Sequence, residues 1–196
     1  MAQEEKNKIL IDAVFKSIKQ VWSERNKFMN FNEQSIHPRL VYHIQTILEA
    51  QSKNMFFVDS EVEVSHIIRS IERDDMCSTL FSHYGSRVDI IIHSGTRDVS
   101  LVLELKTDRI DGTDCRELCC LSCHGKEVDL VGCFVSFDED KSRCRCHIFK
   151  DGILTETYLM SEGSNWKSYK PHHKEIVSRT NKICEAFSLY ENPCLT

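Results

Sequence analysis

The stretch SRVDIIIHSGTRDVSLVLELKTD, residues 86–108, decides how this chain folds and where its chemistry lies. Asp89 opens an apolar run, and Glu104 and Lys106 close a second one after Leu101, Val102 and Leu103. These runs predict strands at about 88–93 and 99–106. Successive side chains on a strand alternate faces, so Glu104 and Lys106 share one face while Leu103 and Leu105 share the other. A short hairpin returns the second strand beside the first and brings Asp89 close to Glu104. Two carboxylates and an ammonium then sit on one edge of a mostly buried sheet, where charge is costly unless paired or bound to metal. A hard divalent cation between two carboxylates, with a lysine beside it, is a device for phosphodiester chemistry.

The bulk properties set bounds around that stretch. A length of 196 residues suits one domain with a real core. With 41% hydrophobic and 28% charged residues the composition is that of a soluble globular protein. Glycine (7) and proline (3) are too scarce for a long flexible linker. No apolar run approaches the roughly 20 residues of a membrane span, and the opening MAQEEKNK lacks the apolar core of a signal peptide. No membrane association and a cytoplasmic location are the expectation. Ten cysteines without a secretion signal argue against disulfides. A net charge of −5 argues mildly against a protein that simply coats nucleic acid, but not against an enzyme with a local basic groove.

Residues 4–29 read as a long amphipathic helix and 33–51 as a second, with Pro38 near its first turn. Residues 55–64 read as a strand, with Phe56, Val58, Val62 and Val64 on one face and Asp59, Glu61 and Glu63 on the other. After the central hairpin come a helix at about 114–123, a buried strand from Leu130 to Phe137 and a turn at Asp138–Lys141. A hairpin of 144–149 and 153–160 and a last helix from Pro171 to Tyr190 complete the chain. The order predicts a mixed sheet with flanking helices. It divides into a helical extension (1–30), a core (31–137) and a C-terminal hairpin and helix (138–196).

An Asp opening one strand and Glu-X-Lys on its neighbour resembles the signature of the PD-(D/E)XK nuclease superfamily. Val88 stands where the name-giving proline would be. The likeness extends along about residues 32–137: Asn32, Glu33, Arg39 and Leu40 resemble an N-E-x-x-x-x-x-R-L opening, Glu61 or Glu63 ends the next strand, and Asp114 with Leu118 fits the later helix. The resemblance implies an α/β, restriction-endonuclease-like mixed central β-sheet flanked by α-helices. It implies a Mg²⁺-dependent nuclease, DNA before RNA as substrate, with Mn²⁺ able to substitute. Asp89 and Glu104, with the Leu105 carbonyl, would hold the metal. Lys106 would orient water or stabilise charge on the phosphate, and Glu33 would join directly or through a water. A catalytically silent domain of this fold, binding nucleic acid or a protein, is the alternative.

Cys115, Cys119 and Cys123 lie on one face of the helix expected at 114–123, and Cys144, Cys146 and His147 on a later strand. No paired C-x-x-C spacing accompanies them, so packing is favoured over zinc or an iron–sulfur cluster. Arg39, Arg109 and Lys126 are the basic residues placed to meet nucleic acid. Duplex cleavage needs two sites, which a homodimer would supply.

Overall fold

Residues Gln3–Ser23 form α1, and its buried side, Leu10, Ala13, Val14, Ser17, Ile18, Val21 and Trp22, follows the helical period. A computed structural model describes residues 3–28, 31–51, 55–63, 67, 87–95, 99–107, 118, 121–122, 130–138, 142–150, 152–161 and 163–168. The periodic reading carried the first helix to Met29, but α1 ends at Ser23 and Arg25–Lys27 make a single 3-10 turn. The apolar signal at Phe28 belongs to the connector. Its ring packs edge-on to Phe31 at 5.2 Å and lies under the Arg39 guanidinium at 4.3 Å.

Residues Glu33–Ala50 form α2. Asn32 caps it reciprocally: the Ser35 amide donates to Asn32 Oδ1 at 2.9 Å, and the Asn32 amide donates to Ser35 Oγ at 3.1 Å. Pro38 falls in the second turn rather than the first, so the Gln34 carbonyl lacks its usual amide partner.

The strands are β1 (Phe57–Glu63), β2 (Arg87–His93), β3 (Val99–Lys106), β4 (Val131–Asp138), β5 (Arg143–Lys150), β6 (Ile153–Ser161) and β7 (Lys167–Ser168). They form one seven-stranded sheet in chain order. Every neighbouring pair is antiparallel except β3 and β4. A parallel pair needs a crossover connection. Leu118, Leu121 and Ser122, helical and buried, lie in that connection. The rest of the helix expected at 114–123, the last helix at 171–190, and the stretch 65–84 apart from the helical Ile67 lie outside the described residues. Asp138, expected in a turn, ends β4, and β7 has no counterpart in the sequence reading. The result is an α/β architecture whose mixed sheet is flanked by α1 and α2, a coarse match to restriction-endonuclease-like topology. Among the described residues, no helix is long and apolar enough to cross a membrane.

Two apolar clusters cover the two faces. The helices pack on Ile90, Ile92, Leu101, Leu103, Leu105, Val131, Cys133, Val135, Cys144 and Cys146. Val88, Ile91, Val102, Phe134 and Phe149 form the other cluster with Ile67, Leu118 and Leu121. The simple alternation expected for 55–64 does not hold. Val58 packs with the helices, but Val62 packs with the opposite cluster. Glu61, between them, has φ +55°, a left-handed backbone that rotates the strand. β2 changes face at the same level, since Val88 belongs to one cluster and Ile90 to the other. Both strands are therefore irregular where Glu61 and Asp89 stand.

Gly132 in β4 lies against Leu118 of the crossover. A Cβ there would meet Phe149 Cβ at 3.2 Å and Leu118 Cβ at 3.3 Å. A β-branched residue ordinarily favours a strand, yet Gly132→Val is expected to lower stability by about 1–3 kcal/mol through overpacking. Denaturant unfolding checks this, and a stabilised variant would contradict the close packing.

Candidate functional site

The first turns of α2 place Glu33 and His37 one helical turn apart, and therefore on one face. Three strands meet them. β1 pairs Ser60 with Ile90 and Val62 with Val88, which sets Glu61 opposite Asp89. β2 pairs Ile90 with Leu103, and one further step sets Asp89 opposite Glu104. Three acids thus stand at one level across three strands, as close neighbours in register.

Ladder bonding changes character at that level. The Leu105 amide donates to Asp89 Oδ2 at 2.6 Å, so a carboxylate takes the amide that a strand carbonyl would otherwise accept. The other oxygen, Oδ1, lies 3.2 Å from His37 Nε2, and His37 Nδ1 lies 3.2 Å from Glu61 Oε1. His37 is buried, with its side chain 11% exposed, and Asp89 is nearly so at 17%, whereas Glu61 opens to solvent at 55%. Ligand atoms of His37, Glu61 and Asp89 all lie within 4.8 Å of one another, a cluster able to hold a metal ion. A groove of about 650 Å³ lined by Val41, Ser60, Glu61, Glu63 and Arg87 runs along β1, and of the cluster Glu61 lines it.

Glu104 and Glu33 fall outside this cluster. Glu104 is buried, 4% exposed, on β3 in line with Val102 and opposite Phe134, both on the face away from α2. Glu33 Oε1 lies 4.0 Å from Lys106 Nζ and accepts the Thr107 amide at 3.4 Å, tying the start of α2 to the end of β3. Leu105 enters through its amide. Arg39, a candidate for nucleic acid, is exposed on α2, with its guanidinium 3.3 Å from Glu24 Oε2 and over the Phe28 ring. Arg109 and Lys126 lie outside the described residues, as do Cys115, Cys119 and Cys123. Cys133, Cys144 and Cys146 are free thiols buried in the helix-side core, and burial pushes the Cys144 and Cys146 thiols well up.

Sequence reasoning missed His37. The available signal was its position four residues after Glu33, on the apolar side of α2 that also carries Leu40 and Ile44. It also left Glu61 and Glu63 as equals. Backbone conformation separates them, because the left-handed turn at Glu61 brings its carboxylate to His37.

Burial by itself would lower the His37 imidazole, but the Asp89 and Glu61 carboxylates outweigh it and hold the group above its ordinary value. A second buried histidine, His147, goes the other way: burial, with help from the Arg145 charge, lowers it to about 4. The signs give opposite limbs of a stability curve. Protonated His37 stabilises the metal-free protein fully below the unfolded pKa of about 6.5, and that contribution is lost as pH rises through its raised folded value. Neutral His147 is stabilising above about 6.5, and that contribution is lost as pH falls toward about 4. Thermal melting of metal-free protein against pH is expected to peak near the ordinary histidine value, with His37→Asn flattening the alkaline limb and His147→Gln the acid limb. A profile unchanged by either substitution would contradict these environments.

Compared with models of protein families, with characterised proteins and with solved structures, the chain matches none.

Proposed function

We propose that this chain is a divalent-metal-dependent nuclease of PD-(D/E)XK type that hydrolyses phosphodiester bonds in nucleic acid. The observation that supports this reading is the convergence of His37, Glu61 and Asp89 beside a strand that ends in Glu104, Leu105 and Lys106. The residues fit an ion. Two carboxylates and an imidazole offer one ligand atom each, and the 3.2 Å separations from His37 are close to the roughly 3 Å between adjacent ligands of an octahedral cation with ~2.1 Å bonds. His37, Glu61 and Asp89 would hold the ion, with Glu104 the next carboxylate on the adjoining strand. A bound divalent cation supplies Lewis acidity toward phosphate and water.

The chain's own groups do the rest. Asp89 is oriented on both sides, by the Leu105 amide and by His37, and enters the reaction with little freedom to lose. Lys106 places an ammonium at the end of β3, where negative charge developing on a phosphate is offset. Glu33 keeps that ammonium in place and acts as a positioning residue. An imidazole ligand shifts preference away from the hardest cations, so manganese is expected to serve better than the magnesium first expected.

Cleavage of single-stranded DNA, duplex DNA and RNA with Mn²⁺ or Mg²⁺ tests this. Greater activity is expected with Mn²⁺. Lys106→Ala is expected to cost at least about 100-fold in rate while leaving metal affinity intact. Asp89→Ala is expected to abolish both activity and the calorimetric heat of Mn²⁺ binding. A wild-type protein that binds Mn²⁺ and oligonucleotide yet cuts nothing would instead be a silent binding domain, and one that binds no metal would sink the reading.

A further inference from the structure

The β3–β4 and β4–β5 registers build a row leading away from the motif lysine. Lys106 pairs with Ser136, and Ser136 pairs with Arg145. The parallel row two residues along the strands runs Glu104, Phe134, His147, Thr157. Phe134 and Phe149 belong to the cluster opposite the helices, so by alternation Ser136, Arg145 and His147 stand on that same face. Arg145 lies about two interstrand spacings, ~10 Å, from Lys106 along this row.

Neighbouring cations on β5 have partners. Arg143 Nε meets Asp138 Oδ2 at 3.2 Å, and Lys150 Nζ meets Glu156 Oε1 at 3.5 Å. Arg145 differs: among the described residues no carboxylate lies within ion-pair distance of its half-buried guanidinium. His147, two residues on, is 4% exposed. Its Nδ1 lies 3.1 Å from Thr157 Oγ1, and its buried Nε2 has no hydrogen-bond partner. When the Thr157 hydroxyl donates to Nδ1, Nε2 carries the proton and remains a buried donor. Ser136, 4% exposed, adds a hydroxyl between Lys106 and Arg145. A guanidinium without an acid and an imidazole without an acceptor are costly in such a place. An anion at the guanidinium meets the first of these needs.

We infer that Arg145, with His147 and Ser136, forms a phosphate-binding subsite that grips the substrate strand at a phosphate neighbouring the one presented to Lys106. The subsite rests on the nuclease reading for its place in the reaction, and its ligand is the internucleotide phosphodiester. Arg145 presents a planar fork suited to two phosphate oxygens, with buried His147 two residues along the same face of β5. The contact reads backbone and not base, so it adds affinity without sequence preference.

Binding of a fluorescent single-stranded oligonucleotide in Ca²⁺, over a series of salt concentrations, tests the subsite. Arg145→Gln is expected to weaken binding about tenfold, the worth of a charge-assisted hydrogen bond. It is also expected to reduce the slope of log affinity against log salt by about one phosphate contact. Arg145→Lys should restore the slope, because it keeps the charge, but only part of the affinity, because it loses the fork. Melting temperature and the calorimetric heat of Mn²⁺ binding are the controls for fold and metal site, and both should stay at wild-type values. Wild-type affinity and slope in Arg145→Gln, or no oligonucleotide binding by the wild-type protein, would overturn the subsite. The two readings part cleanly. Binding that depends on Arg145 in a protein that cuts nothing keeps the subsite and removes the nuclease, whereas cleavage with kcat and KM unmoved by Arg145→Gln keeps the nuclease and removes the subsite.

Discussion

At the level of Asp89 the sheet gives a backbone amide to a side chain. The Leu105 N–H donates to the Asp89 carboxylate, and that one substitution of acceptor governs what surrounds it. A carboxylate this far out of water needs donors on both oxygens. The second oxygen lies 3.2 Å from His37 Nε2, an ion pair when that imidazole is protonated, and this contact sets how α2 crosses the sheet. The Asn32 cap fixes where α2 begins, and with it the positions of Glu33 and His37. The left-handed backbone at Glu61 and the change of face in β2 accompany the same accommodation. Removing either His37 or Asp89 would leave the other as an uncompensated buried polar group, a larger penalty than the pair is worth.

Much of this architecture is legible in the amino acids. The apolar runs of β2 and β3, the stripe of α2 and the buried run of β4 are local patterns, and each becomes the expected element. So does the hairpin of β5 and β6, with Gly152 at φ +72° between them. Asp89 and Lys106 could be singled out because charge at the end of an apolar strand is conspicuous. His37 was silent because a histidine on the apolar side of a helix looks like any buried histidine until a strand brings carboxylates to it. Arg39 shows the converse. Its charge is visible in the sequence, but its contacts with Glu24 and Phe28 are made only in the fold. The extent of α1 and the facing of β1 failed where tertiary demands override periodicity, at the tightened turn after Ser23 and at Glu61.

Charge is distributed unevenly across the sheet. Acidic groups gather on the β1 side, with Asp59, Glu61 and Glu63 on the edge strand and Asp89 beside them. The cations Arg143, Arg145 and Lys150 stand on β5, two of them paired with Asp138 and Glu156. Lys106 on β3 stands between the two groups. The net charge of −5 conceals this because it sums over both ends.

The single parallel pairing, β3 with β4, also divides the chain in time. Every member of the His37, Glu61 and Asp89 cluster lies before it, and so does the whole of the hairpin that carries the motif. Strands β4 to β7 join only after a crossover has closed, the slower kind of event because long-range pairing must follow loop closure. During vectorial synthesis the N-terminal part emerges first. The acids of the cluster are then on a chain whose sheet still ends at β3, with one edge uncovered. Such an intermediate holds the cluster's side chains before it holds a finished core, and a cation able to bind them at that stage would act as a folding partner.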